Sequence, residues 1–540
     1  MTHLRISIGA VPRGTLRRLF WPAMVLCLPL QLWAQQPSTQ ESGDAPSRVA
    51  RLSAVEGAVS LLPAGVSDWS LAPINYSITT GDRLFTAQDA RAELEVGPFT
   101  VRLADSTDLT VTALGDHYAQ FGLSQGTMRV SVYRLLAGDT IEVDTPNGAF
   151  VVRAPGTYRI EIPLNTDYTL VSVEEGSLDA TGPGLEQAVA TGQAVSFAGY
   201  NPIRALAAPR PPRTAFDAWS AERDQRVVAS SCSRYMSNDI PGCADLDQYG
   251  RWVVTAEYGT VWYPSSVAVG WVPYRYGRWG WVDPWGWVWV EDEPWGFAPF
   301  HYGRWAMVGR AWAWIPGPIV ARPYYSPGLV VFVMGPAFGG GVQAWFPLGP
   351  HEPFFPWYHY GPRYLRAVNA TNVRGVTDID VFVRVRNIQT VRWANRTHGF
   401  TAVPSAVFRN GERVDRGMVR VRPTDVERAR IAAHPTVLPT PRAAAGGPPS
   451  PRPPAARPQP RTAVPRPIIT KRAPPPENPP FAKREEAMKA NPGRPLEPQQ
   501  VKNLREGRPA GPQRDSAHPA QKPAAGRKAV RKPGRGGGGN

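Results

Sequence analysis

Cysteine is almost missing from this chain: 540 residues contain three, Cys27, Cys232 and Cys243. That excludes a disulfide-dense scaffold and leaves no run of thiols spaced for a structural zinc site. Membrane-length apolar runs are missing too. The run from Leu19 to Trp33 falls short of the ~20 residues that span a bilayer. Histidine is sparse, at eight residues. His351 and His359 flank Glu352 in "HEPFFPWYHYG" without the i, i+4 spacing of a zinc-protease helix. No G-x-S-x-G elbow and no phosphate-binding loop occurs, and "FGGGV" (338–342) lacks the lysine such a loop needs. These gaps predict no enzyme, no metal and no cofactor. Glu291, Asp292 and Glu293 are clustered acids approaching a turn. They leave a glycoside hydrolase as the one enzymatic alternative, against the commoner reading of a solvated turn.

Charge of one sign is scarce in the middle of the chain. The net charge of +16 comes from the ends. Residues 441–540 hold 21 basic and 6 acidic residues, whereas 41–440 hold 35 and 38. The basic character belongs to a tail and not to a binding face; such a tail can touch nucleic acid in principle, but export, for which the N-terminus argues, makes that partner unexpected.

Arg5, Arg13, Arg17 and Arg18 precede the Leu19–Trp33 run, the order of an export signal. Cleavage after Ala34 is expected, giving a periplasmic or secreted protein that is not integral to a membrane. An uncleaved anchor in the inner membrane is the alternative. Cys27 leaves with the signal. Cys232 and Cys243 then remain as an isolated pair, read as a disulfide closing a small loop in an oxidising compartment.

The fold class is all-β, with two β-domains and a disordered C-terminal tail. Over 48–198, segments such as "RAELEV", "FTVRLAD", "DLTVTAL", "TIEVDT" and "TYRIEI" alternate with period two between Gly, Asp and Pro turns. They predict a sheet sandwich or coiled stack. The order of turns resembles the FecR domain, the periplasmic sensory domain of the iron-citrate regulator family. The landmarks are Gly81-Asp82, Gly126, Thr145-Pro146, Gly156-Thr157, Val173-Glu174-Glu175-Gly176 and Gly192. The resemblance covers about 150 residues and implies a partner-binding envelope domain. Regulators of that family carry an anti-sigma segment before the membrane. Only about 18 residues precede the apolar run here, which argues against a direct anti-sigma role.

Residues 199–248 read as a Pro-rich connector with a short helix and the Cys232–Cys243 loop. Residues 249–430 form a Trp-rich domain. Tyr-Gly-Arg-Trp occurs at 249–252, 276–279 and 302–305, with a looser echo, "WYHYGPRY", at 357–364. With "GWVPY" and "EPWG", the set resembles a family of bacterial envelope domains of unknown function often found after a FecR domain. Residues 435–540, rich in Pro, Ala and Gly, are expected to be disordered.

In "YGRWGWVDPWGWVWVEDEPWGFAPFHYGRW" (276–305), Asp283-Pro284-Trp285-Gly286 predicts a three-residue hairpin loop. Asp283 would then oppose Trp287, and Trp281 would oppose Trp289. A second turn at Glu293–Gly296 predicts a third strand, 297–305. This meander puts Trp279, Trp281, Trp287 and Trp289 on one face, joined by Phe297, His301 and Trp305. Buried, each indole removes ~150–250 Å² from water and the face is a core. Exposed, it is a stacking platform for glycan, peptidoglycan or peptide, with Arg278 and Arg304 beside it. The expected function is a non-enzymatic sensory or interaction module with an envelope protein, glycan or peptidoglycan as partner. The alternative is a cell-wall or polysaccharide-binding protein using an exposed Trp face.

Overall fold

The computed structural model describes residues 43–335, 341–373, 388–446 and 467–513. The expected signal peptide, 1–34, lies outside them. No helix of the described residues is long and apolar enough to cross a membrane.

Seventeen strands between Ala50 and Ala207 build the first module, in two layers. The fifteen-residue strand Tyr118–Val132 belongs to both. Its first half pairs with Asp108–Leu114 and, in parallel, with Thr140–Thr145. Its second half pairs with Phe99–Leu103 and Gly156–Ile162. The change of layer falls at Gly126, whose φ of +88° suits glycine. A Cβ there would lie 2.3 Å from Thr107 Oγ1. Period-two alternation sends Leu94, Val101, Val111, Phe121, Val143 and Ile160 between the layers, where all are buried.

The connector is more structured than its Pro content implies. Arg204–Ala207 adds an edge strand to the first module. The helix Ala215–Ala229 is capped by Thr214, with Asp217 completing a capping box. Cys232 and Cys243 are joined, with Cα atoms 5.7 Å apart.

Each Tyr-Gly-Arg-Trp motif opens a hairpin: Gly250–Thr255 with Gly259–Pro264, Gly277–Val282 with Gly286–Glu291, and Arg304–Val308 with Ala311–Ile315. In each hairpin the motif's Trp opposes another Trp: Trp252 with Trp262, Trp279 with Trp289, and Trp305 with Trp314. The motif's glycine lies under the partner indole. A Cβ at Gly250 would sit 2.2 Å from Trp262, at Gly277 2.8 Å from Trp289, and at Gly303 2.6 Å from Trp314. The repeat is therefore a packing rule in which a cross-strand indole folds over a residue without a side chain.

The expected register is off by two. Trp281 opposes Trp287 and Trp279 opposes Trp289, because Asp283, Pro284 and Trp285 form the loop and Gly286, at φ +77°, already pairs with Val282. Trp285 turns inward against Tyr325, with ring centroids 5.2 Å apart. An even shift keeps the face, so the four Trp share one side as expected. The third strand, 297–305, does not form. The His301 and Tyr302 N–H groups bond instead to the Phe297 and Ala298 carbonyls, at 3.1 and 3.0 Å. Pro299 also lacks the N–H of a paired strand. A helical turn, Ala298–His301, takes this place, and Arg304–Val308 joins another hairpin. The echo at 357–364 is no hairpin either, since Gly361 caps the helix Pro362–Ala370.

The first and third hairpins join in one four-stranded sheet, and another, from Val330–Met334, Val342–Pro347, Thr401–Pro404 and Arg430–Ala432, packs Phe332 and Trp345 on Trp279 of the middle hairpin. Disorder from residue 435 onward does not describe 435–446 or 467–513. Ala443 and Ala444 are buried, as are Phe481 and Met488 on the helix Phe481–Met488. Arg484, also buried, donates to the Ala64 carbonyl and pairs with Asp283. A segment too polar to make its own core is ordered by completing another.

Gly277→Ala and Gly303→Ala should each cost about 1–3 kcal/mol in denaturant unfolding, because the new Cβ meets the partner strand's carbonyl and its indole, with the φ of +68° adding strain at Gly303. Gly341→Ala, with open space around it, should stay within about 0.5 kcal/mol. Equal effects at all three positions would contradict the packing rule.

Candidate functional site

The hairpin Gly277–Glu291 places the indoles sequence reasoning singles out, and its neighbours close over them. Trp279 has ring centroids 5.5 Å from Trp289, 5.3 Å from Phe332, 5.7 Å from Trp345 and 5.6 Å from Phe408. Trp287 lies 4.5 Å from Phe408. Trp305 donates to the Pro299 carbonyl at 2.9 Å and packs on Trp271. Relative exposure is 0% for Trp279, Trp287 and Trp289, 1% for Trp305 and 2% for Trp281. The exposed stacking platform is therefore corrected: this face is core, because two later strands and Phe408 supply its cover. The N–H groups of Trp279 and Trp287 have no hydrogen-bond partner among the described residues, as in a dry aromatic interior.

The two arginines of the expected platform are also taken up. Arg304 is buried and donates to the Glu352 and Gly303 carbonyls. Burial lowers its pKa to about 10, against the pull of Glu352. Arg278 donates to the Gly446 carbonyl and pairs with Asp292 at 3.3 Å. Burial lowers its pKa as well, with Asp292 opposing.

The acidic turn offers no shared cleft for a pair of carboxylates. Glu291 is buried, accepting from Trp289 Nε1 at 2.8 Å. Burial raises its pKa well above the usual carboxylate range, and the Trp289 hydrogen bond opposes this. Asp292 pairs with Arg278 and with Arg413 at 2.6 Å. His301 is sandwiched between Phe297 and Tyr325, its Nδ1 2.8 Å from the Ser326 carbonyl, and burial lowers its pKa to about 3. Among the described residues no three His, Cys, Asp or Glu side chains converge as metal ligands.

Sequence reasoning missed the polar nodes that join the modules. Arg51, fully buried on the first strand, pairs with Glu95 at 3.1 Å and Asp245 at 2.6 Å. It also donates to Asn75 Oδ1 and the Pro294 carbonyl. Asn75 in turn donates to the carbonyls of Glu291 and Glu293. Asp224, on the connector helix, accepts from Arg102, Ser131 and Tyr133 of the first module. Nothing in "ARLSAVE" separates Arg51 from an ordinary strand arginine; the signal lies in residues 194 positions away.

The aromatic hairpins fall within a stretch that known proteins share. Residues 243–352 match a family of unknown function, DUF6600. The match takes in all three Tyr-Gly-Arg-Trp hairpins, and it brings no chemistry with it. A crystal structure of a "putative anti-sigma factor" from Parabacteroides distasonis ATCC 8503 covers 34% of this chain and 99% of its own, at 14% identity and a TM-score of 0.22. A second such crystal structure from that organism covers 38% and 100%, at 13% identity and a TM-score of 0.18. Likenesses this slight carry no argument. No curated relative matches the sequence.

A carboxyl whose pKa is higher folded than unfolded (~4.3 for Glu) stabilises most below that unfolded value. The stability is lost as pH rises toward the folded pKa. Glu291→Gln stays neutral throughout, so its unfolding free energy should fall less steeply than the wild type's as pH rises above the unfolded value. The difference should be up to about 1.4 kcal/mol per pH unit. Parallel curves for the two chains would contradict a protonated, buried Glu291.

Proposed function

We propose that this chain is an exported protein of the bacterial cell envelope that works as a non-enzymatic interaction module. The FecR-like module binds a partner, and the Trp-rich module holds it as a rigid scaffold. One observation carries the reading: the aromatic side chains of the hairpins and the strands of the first module enter one continuous hydrophobic core. Indoles committed to that core are not available to grip a sugar. What the molecule offers is the outer faces and edges of its sheets. The edge strand Arg204–Ala207 pairs with Ala194–Ala198 on one side, and Leu206 on it is 68% exposed. Such an edge suits strand addition by a partner. The export part rests on the basic residues before the Leu19–Trp33 run and on the Cys232–Cys243 disulfide, which a reducing cytosol disfavours.

The test is expression of the full chain in a Gram-negative host with a photo-crosslinking residue at Leu206. The chain should fractionate with the periplasm, with both cysteines blocked to alkylation until reduced, and should give a discrete crosslinked product. Cytoplasmic retention with free thiols contradicts export. Periplasmic chain without a product contradicts the partner-binding role of that edge.

A further inference from the structure

The outer face of the first module carries a strip that alternation turns away from the core. Ile141, Val143, Phe121 and Leu123 point inward and are buried. Glu142, Asp144, Gln120 and Gly122 occupy the intervening positions of two neighbouring parallel strands. On an ordinary sheet such a face is wet. Here Gln120, Glu142 and Asp144 are all buried, at 1%, 3% and 0% exposure. The cover is an extended piece of the chain's own C-terminal region, residues 467–472.

The contacts are those of a recognition site. Ile469 N donates to the Thr145 carbonyl at 2.9 Å. The amides of Lys471 and Arg472 both donate to Glu142 Oε1, at 2.8 and 3.0 Å. Gln120 Nε2 donates to the Arg472 carbonyl at 2.8 Å, and also to Asp144 Oδ2 at 2.8 Å. The Arg472 guanidinium lies 3.8 Å from the centre of the Tyr118 ring. The branched side chains fit over glycines. A Cβ at Gly122 would lie 3.3 Å from Ile468 Cδ1, and one at Gly182 would lie 3.6 Å from Ile469 Cγ2. Glycine inside a strand marks close approach by another side chain: Ile468 makes it at Gly122, whereas at Gly182 the tightest neighbour is Ile203, 2.4 Å from such a Cβ, with Ile469 in ordinary contact. Asp144, beneath the segment, has its pKa raised to about 9 by burial and then by Glu142.

We propose that Tyr118, Gln120, Gly122, Glu142 and Gly182 form a binding site for an extended peptide with two adjacent branched apolar residues followed, after two further residues, by an arginine. Residues 468–472, "IITKR", are its resident ligand in cis. Main-chain hydrogen bonds, two of them to Glu142, fix the peptide's direction, Gly122 leaves room for a branched apolar side chain, and Tyr118 selects the arginine through its ring face. A peptide in trans must displace the resident, so the resident segment holds the site closed. The assignment deepens the reading of the chain as an interaction module. It does not need the envelope location or the Leu206 edge, so its test fails or succeeds separately from theirs.

The experiment titrates a fluorescent peptide of residues 467–475, PIITKRAPP, into the full chain. Ile468→Asp with Ile469→Asp, which vacates the site, should bind it at least about tenfold tighter than wild type, because the resident no longer competes. Adding Glu142→Gln should remove most of that gain. No gain in the vacated chain, or a gain indifferent to Glu142→Gln, overturns the site. Hydrogen exchange on the unaltered protein provides a second reading that needs no variant to fold. The Ile469, Lys471 and Arg472 amides should exchange slowly and should speed up when excess unlabelled peptide is added, with core amides unchanged. Fast exchange without peptide, or no response to it, overturns the resident-ligand assignment.

Discussion

Indoles are large, and a short hairpin cannot cover its own. Three hairpins opening on Tyr-Gly-Arg-Trp place Trp opposite Trp, and each pair exposes more apolar surface than two strands can hide. The rest of the molecule follows from that constraint. The sheet around Val330–Met334 and Val342–Pro347 lies over Trp279, the Ser405–Arg409 helix brings Phe408 onto Trp287, and Tyr325 closes on Trp285. The first module contributes too, since its strands belong to the same hydrophobic cluster.

A shared core needs its polar groups satisfied where the modules meet. Arg51 does this with two carboxylates, an amide oxygen and a carbonyl, so that a charge fully removed from water has a partner on every nitrogen. Such a node adds little stability over an apolar replacement, but leaving it half-partnered is costly, and it therefore fixes how the modules register. Asp224 does the same for the connector helix, through Arg102, Ser131 and Tyr133. The Ser77 hydroxyl and the Tyr325 hydroxyl, 2.6 Å apart, tie the seam from a third side.

Local features were legible in the sequence, and coverage was not. Alternation located the strands of the first module, and the repeat located the hairpins. Even with the register off by two, the face shared by Trp279, Trp281, Trp287 and Trp289 was right, because an even slip preserves sidedness. Whether that face is open depended on Phe332, Trp345 and Phe408, which lie far along the chain and look like any core residues. The strand expected at 297–305 failed for a local reason, Pro299, which has no N–H to pair and sits in the first turn of a helix. The C-terminal region misled through composition. Its few apolar residues cannot make a core, but Ile469, Phe481 and Met488 need only complete one.

The two modules fold around one core. Scanning calorimetry of the full chain tests it most directly. The account predicts a single cooperative transition for the two modules, with calorimetric and van't Hoff enthalpies in agreement. Two resolved transitions, one assignable to each module, would contradict it.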